Sequence, residues 1–270
     1  MGINKFSSFN LNSLKLDFSK KMPAFGAACI ALCSVAIAQE GIPAPINDQA
    51  IILEENTARE PAAPSTDEGL SAEERNAAFV AAAMAGDQMS TARLLSQGAD
   101  INVIIEGAGT ALGNASANGY LATVSSLIAA GADVNVVSPG NGTPLMAAAA
   151  SGNKAMVLKL LSAGADVNLE TTGKSTALVA ATRSGHLEIM RILLAADAMP
   201  DTVTQTGETS LIYAVRSGEL NAVKLLVEDA GANVKLIATA GSTRQSPLSE
   251  AIKHGHVEIA DYLRANGAED

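Results

Sequence analysis

The sequence predicts an all-α solenoid in which six copies of one helix-turn-helix unit stack side by side. Of its 270 residues, 48% are hydrophobic but only 3% are aromatic. Ala, Leu and Val must therefore fill the core, which favours closely packed helices over a sheet. The string Gly-Ala-Asp-(Val/Ile)-Asn occurs at 98–102, 131–135 and 164–168, a spacing of 33 residues. A fixed period of this length is the signature of a repeat architecture.

The first 38 residues have the pattern of a secretory signal peptide. Four lysines precede an uncharged run at 22–38, which ends in Ala36-Ile37-Ala38. A basic region, a short apolar stretch and a small-x-small site together define such a peptide. We therefore predict that residues 1–38 direct export, that cleavage follows Ala38 and that the protein is periplasmic. Three alternatives remain open: translation from Met22, an uncleaved N-terminal anchor, and secretion.

Residues 39–70 are predicted to form a disordered acidic linker. They contain four prolines, seven acidic residues and one arginine, without apolar periodicity. Such a composition does not bury enough apolar surface to fold. The formal net charge of the whole chain is −10, which opposes phosphate binding, so nucleic acid is not an expected partner. Both cysteines, Cys29 and Cys33, lie in the signal segment, so no disulfide is expected after cleavage.

Two further residue types recur in phase with the Gly-Ala-Asp string. A threonine stands before each first helix, where its hydroxyl can accept a hydrogen bond from a free backbone N–H. A glycine follows the second helix, where the chain needs a positive φ. The threonines are Thr110, Thr143, Thr176 and Thr209, and the glycines are Gly98, Gly131, Gly164 and Gly231.

These residues resemble the ankyrin repeat, over about residues 76–270. The resemblance implies an α-solenoid with short β-hairpin fingers, in which each unit supplies part of its neighbour's core. It also implies protein binding through finger tips and through a groove lined by the first helices. The expected ankyrin domain covers 71–270, with units at about 71–102, 103–135, 136–168, 169–201, 202–235 and 236–270.

The sequence offers no constellation of residues for catalysis. No nucleophile stands in a motif with a base, and no Gly-rich phosphate loop is followed by lysine. His254 and His256 lack a third ligand at a usual metal-binding spacing. We therefore expect no enzyme activity, cofactor, metal site or small-molecule substrate. After signal cleavage we expect a monomer without stable membrane insertion.

Stacking of the units would place equivalent first-helix residues in rows along the groove. One row holds Arg183, Arg216 and Lys253 in the last three units, beside Tyr213 and Glu250 in the next row. Three aligned cations in an acidic chain suggest a patch for a carboxylate-bearing protein segment, with Tyr213 as an aromatic anchor. The alternative is that these are ordinary solvated side chains, with Glu250 as a local counter-charge.

The finger tips are the second candidate binding surface. Ile104, Ile105 and Val137 stand where ankyrin repeats tend to be polar, and together they would form a modest apolar edge. The alternative is that they pack against each other along the row of hairpins. Whether the groove or the finger tips bind is left open.

The function predicted from these features is a non-catalytic protein-protein interaction module in the bacterial cell envelope. The resemblance does not name the partner. Two other roles remain open: an inhibitor or immunity protein against a specific enzyme or toxin, and an exported effector that binds a host protein.

Overall fold

The computed structural model describes residues 69–140, 142–240 and 243–269. The predicted signal peptide, and all of the predicted linker except its last two residues, lie outside the described residues. Within them the chain is helical, as predicted, and the helices follow one another in six pairs. None of the described helices is long and apolar enough to cross a membrane.

Each pair consists of a first helix, a tight turn and a second helix. The pairs are α1 Ala72–Ala85 and α2 Gln88–Ser96, α3 Ala111–Ala117 and α4 Leu121–Ala129, α5 Pro144–Ser151 and α6 Lys154–Ser162, α7 Ala177–Arg183 and α8 Leu187–Ala195, α9 Ser210–Ser217 and α10 Leu220–Lys224, and α11 Pro247–Lys253 and α12 Val257–Ala265. First helices of neighbouring units pack together more extensively than second helices do.

Side-chain caps and glycines set the helix ends. Ser71 and Glu74 form a reciprocal capping box at the start of α1. The threonine hydroxyls accept N–H groups three residues later, at 3.0 Å for Thr110, 3.1 Å for Thr143, 3.4 Å for Thr176 and 3.2 Å for Thr209. After the second helices, φ is 91° at Gly98, 92° at Gly131, 88° at Gly164 and 65° at Gly231. At the equivalent place in the fourth unit, Asp197 has φ 64°, which is strained for a residue with a side chain.

The fifth unit absorbs one extra residue inside its second helix. α10 continues as a π-helical turn, Leu225–Asp229, and such a turn accommodates an added residue within a helix. Consequently Ala232 N–H bonds to the carbonyl of Leu226, six residues back, whereas Ala198 bonds to Leu193, five residues back. The remaining extra residues before the sixth unit lie in its finger.

The fingers are mostly tight turns, and the last one is the longest. It forms an antiparallel pair of strands, β1 Ala238–Ala240 and β2 Thr243–Gln245. The second and third fingers are closed by single bridges, Ile105 to Gly109 and Ser138 to Gly142. The predicted hairpins are thus shorter than regular two-stranded ribbons except in the sixth unit.

One continuous core runs through all six pairs. A leucine occupies the same buried place in each second helix, at Leu94, Leu127, Leu160, Leu193, Leu226 and Leu263. First helices contribute fully buried alanines such as Ala115, Ala148 and Ala181, whose small side chains allow close helix contact. Truncating one of the leucines to alanine would cost about 2–5 kcal/mol.

Asparagine side chains connect successive units along the finger side. Asn102, Asn135 and Asn168 accept the backbone N–H groups of Asp133, Asp166 and Met199 at 2.8–2.9 Å. Asn168 also donates to the carbonyl of Asp197 at 2.9 Å. These asparagines end the Gly-Ala-Asp strings, so the period of 33 residues is also the period of a hydrogen-bonded ladder.

Rings from one unit cover glycines of the unit before it. The side chains of Tyr120, His186 and His256 lie against Gly86, Gly152 and Gly218, so closely that an added Cβ would approach ring atoms within 2.8–2.9 Å. The two histidines also hydrogen-bond across the same boundaries, with Nε2 3.1 Å from the carbonyl oxygen of Ala150 and 3.2 Å from that of Arg216. The absence of a side chain at these glycines is therefore a condition of unit stacking.

Candidate functional site

A trough lies on the face that the first helices share with the fingers. It consists of two adjoining depressions of about 460 and 450 Å³. The lining residues common to both are Ser138, Gly140, Gly142, Ala147 and Ala150. The trough extends from Thr110 in the second unit to Arg183 in the fourth, so it crosses two boundaries between units.

The trough exists because its floor is built from small side chains. Ala117, Ala150 and Ala180 stand on three successive first helices. On the finger side, a Cβ at Gly142 would lie 2.8 Å from the sulfur of Met146, so the finger packs against α5 too closely to admit a side chain at this position. The alanines of the first helices thus allow the helices to pack closely and also leave the trough open.

Arg183 stands at the end of the trough. Its side chain is exposed, and its guanidinium carbon lies 5.5 Å from the centre of the Tyr213 ring. A cation at this distance is attracted by the face of the ring. Within the part of the chain that the structure describes, no carboxylate forms an ion pair with Arg183.

Arg216, in contrast, is half-buried and held by two carboxylates. Its Nη1 donates to Glu208, and its Nε donates to Glu250 Oε2 at 2.7 Å. Nη2 donates to Gln245 Oε1 at 3.0 Å. Burial alone would lower the pKa of Arg216, but the hydrogen bonds from its guanidinium to Glu250 and Glu208 outweigh it and raise the pKa.

Glu250 is the buried centre of this cluster. Its side chain is 4% exposed, and its carboxylate also meets Lys253 Nζ at 3.2 Å and His254 Nε2 at 3.4 Å. Burial raises the pKa of Glu250, yet hydrogen bonds from Arg216 and Lys253 prevail and the pKa lies below its ordinary value. The carboxylate is therefore held in its charged form.

Tyr213 is also engaged within the protein. Its hydroxyl donates to Glu208, which accepts a further hydrogen bond from Thr206 at 2.9 Å. Burial, followed by the bond to Glu208, raises the pKa of Tyr213. Burial opposes ionisation of Glu208 as well, but the bonds from Tyr213, Thr206 and Arg216 lower its pKa overall.

In the predicted groove row, two of the three cations pair with carboxylates of the protein. Arg216 pairs with Glu208 and Glu250, and Lys253 pairs with Glu250 although its side chain is 63% exposed. Arg183 has no carboxylate partner among the described residues. The row-by-row interpretation missed Glu208 and Gln245, which immediately precede the caps Thr209 and Ser246. A third row, formed by the residue before each cap, would have revealed both.

The predicted finger-tip edge is smaller than the sequence indicates. Ile104 is 46% exposed. Ile105 packs partly against the core and forms the bridge to Gly109, while Val137 is half-buried. Of the three, only Ile104 thus has an exposed side chain. Among the described residues, no group of three or more His, Cys, Asp or Glu side chains is arranged to hold a metal ion.

Comparisons with known proteins agree with this architecture. The family model described as ankyrin repeats (3 copies) matches residues 79–171, 145–238 and 205–270. The chain therefore belongs to the ankyrin-repeat family. The solved structure of the human ASB11 ankyrin repeat domain is similar, with a TM-score of 0.58 and 29% sequence identity over 71% of this chain and 84% of that one. A search of curated proteins finds no match.

Membership of this family has a general functional meaning. Ankyrin repeats generally mediate protein-protein interaction, and their fold is typically a non-catalytic scaffold. The trough is thus a candidate contact surface for another protein.

Proposed function

We propose that this protein is a non-catalytic binding module of the bacterial cell envelope that holds a protein partner in the trough. The observation that carries the proposal is the continuous depression across three first helices, bordered by fingers and open to solvent. Protein-binding surfaces combine an apolar centre with a polar, solvent-accessible rim. Here Arg183 and the hydroxyls of Ser138 and Thr171 provide the polar groups.

The proposed location comes from the sequence alone. The basic region and the apolar run at 22–38 support export into the periplasm. Fractionation of cells that produce the full chain, followed by N-terminal sequencing, tests this part. We expect periplasmic protein that begins at Gln39. Protein that retains residues 22–38 would support an anchored form instead.

The binding role is tested by crosslinking and capture from the native envelope with a tagged full chain. The variant Ala150→Trp places a bulky ring in the trough. Leu158→Trp is the matched control, because Leu158 is 47% exposed on the second helix α6 and does not line the trough. We expect the control to retain the partner and Ala150→Trp to lose it, while both show unchanged circular dichroism. A partner that Ala150→Trp retains would contradict the proposed site.

The identity of the captured protein separates the remaining roles. One stoichiometric enzyme or toxin would indicate an inhibitor or immunity protein, and several weaker partners would indicate a scaffold. Recovery of the protein outside the cell, with a host partner, would indicate an exported effector.

A further inference from the structure

We propose that the trough binds an extended peptide segment whose small side chains lie on the alanine floor and whose single carboxylate pairs with Arg183. This inference rests on the proposed protein-binding function and adds the chemistry of the partner segment. It concerns Arg183 alone, because the other two cations of the row already have partners within the protein.

The dimensions of the trough suit an extended chain. It crosses three first helices, and packed helices lie roughly 8–10 Å apart, so its length is on the order of 16–20 Å. An extended chain rises about 3.3 Å per residue and would cover this length with five or six residues. A helix of the same length, about 10–12 Å across with its side chains, has a larger volume than the two depressions of about 460 and 450 Å³ together.

The floor selects small side chains. Gly113, Ala117, Ala147, Ala150 and Ala180 leave the depressions open but offer no deep pocket for a large ring or a long aliphatic group. Gly, Ala and Ser in the partner would allow its backbone to approach these alanines closely. A bulky residue facing the floor would lift the segment away from Arg183.

The positive charge of Arg183, at one end of the trough, places the acidic residue at the same end of the bound segment. Arg183 is the single charged side chain that lines either depression, and the Tyr213 ring flanks it at 5.5 Å. A planar guanidinium pairs with a carboxylate through two parallel hydrogen bonds. No acidic side chain lines the trough to compete for this contact.

The surroundings restrict how many acidic residues the partner can carry. Beyond Tyr213 lie Glu208 and Glu250, both of which remain charged, and the chain as a whole has a net charge of −10. A run of acids would meet these carboxylates and be repelled. A single Asp or Glu after a stretch of small residues fits the charge pattern.

A peptide array tests the proposal with the purified full chain. The array carries acetylated, amidated nine-residue peptides with Gly, Ala, Ser, Thr or Val at eight positions, and Asp, Asn or Lys at the seventh. We expect the wild type to prefer Asp over Asn by about tenfold or more, since a charge-assisted hydrogen bond contributes more than a neutral one. Equal signals for Asp, Asn and Lys, or no binding of any peptide, would overturn the proposal.

Three variants locate the preference. Arg183→Gln should reduce the preference for Asp to within about twofold, and Arg183→Glu should shift it to Lys. Lys253→Gln is the matched control, because Lys253 stands in the same row but pairs with Glu250, and it should leave the preference unchanged. Persistence of the Asp preference in Arg183→Gln would place the carboxylate elsewhere and overturn the proposal.

The outcomes also distinguish this inference from the function on which it rests. Loss of the captured partner in Ala150→Trp, combined with no preference for Asp on the array, would leave the binding function intact and refute the peptide chemistry. Retention of the partner in Ala150→Trp would refute the site itself. A wild type that sediments as a dimer, with Ala150→Trp a monomer, would show that a second copy occupies the trough and would also refute the inference.

Discussion

Arg216 of the fifth unit and Glu250 of the sixth are joined by an ion pair with Nε and Oε2 2.7 Å apart. The pair crosses a unit boundary at a place where the carboxylate is 4% exposed. A second pair, Lys154 with Glu188, crosses an earlier boundary at the same distance of 2.7 Å, but its side chains are 55% and 61% exposed. The two pairs have the same N–O distance but differ in burial and in the number of charged or titratable groups around the carboxylate.

We predict that Glu250→Gln destabilises the protein far more than Glu188→Gln does. Removing the charge at Glu250 takes away one of the two carboxylates that hold Arg216 and the carboxylate that pairs with Lys253. Loss of a hydrogen bond to a charged group costs about 1.5–3 kcal/mol. Exposed pairs contribute little because solvent screens them. Urea unfolding at pH 7 measures both variants. Equal urea midpoints for the two variants would show that the buried ion pair contributes no more to stability than the exposed one.

The same cluster predicts how stability depends on pH. The pKa values of Glu208 and Glu250 lie below their ordinary value of 4.5 when the protein is folded. Groups with a depressed folded pKa stabilise the protein fully above the unfolded pKa, and this contribution disappears as pH falls through the folded pKa. Arg216, Lys253 and His254 are the charged or titratable groups that face Glu250.

Accordingly, the stability difference between wild type and Glu250→Gln should be constant from pH 7 to about 5 and shrink below pH 4.5. Urea midpoints measured from pH 7 to pH 3 test this. A difference that grows on acidification would have the wrong sign for a depressed carboxylate pKa.

Gly152 and Gly185 are predicted to differ in their tolerance of alanine. Both have positive φ, 77° and 72°, so alanine costs about 1–2 kcal/mol at either position. At Gly152 the added Cβ would also lie 2.8 Å from the ring of His186, whereas nothing lies within 4 Å at Gly185. We expect Gly152→Ala to be clearly the less stable variant in urea unfolding.

A double-mutant cycle identifies the cause of this difference. Combining Gly152→Ala with His186→Ala removes the clash, so the two changes should be strongly non-additive. Additive effects would mean that the ring does not restrict the glycine.

Ser210→Ala is predicted to stabilise the protein. Within the described residues, the Ser210 hydroxyl is buried and has no hydrogen-bond partner. An unsatisfied buried polar group costs about 1–3 kcal/mol, and alanine already occupies the equivalent first position of α3 and α7. Ser116→Ala is the control, because the Ser116 hydroxyl donates to the carbonyl of Leu112 at 2.7 Å and gains nothing from removal. A lower melting temperature for Ser210→Ala would contradict the prediction.

Local sequence signals predicted most of the fold because they act within a few residues. A threonine hydroxyl can accept the free backbone N–H three residues later and so cap a helix, and a glycine that permits positive φ can end one. The repeat period of the sequence then extends these local signals to all six units. The π-helical turn at Leu225–Asp229 could be inferred only as extra length, since the sequence does not tell whether a helix or a finger absorbs an inserted residue.

The candidate site was less predictable because its chemistry depends on contacts between units. Arg216 and Arg183 hold equivalent positions, yet only Arg216 meets a glutamate from the preceding finger and another from the next unit. Similarly, Ile105 turns toward the core while its neighbour Ile104 remains exposed. Ile105 also forms the bridge to Gly109, a contact that the 33-residue period of the sequence does not predict.

The central claim is that the partner contacts the trough rather than the surface formed by the second helices. Site-specific photo-crosslinking in the native envelope tests it, with a benzophenone amino acid placed at position 150 in one variant and at position 158 in the other. We predict that the probe at position 150 forms a discrete crosslinked product and that the probe at position 158 does not. A product formed only from position 158 would contradict the account and place the binding surface on the second helices.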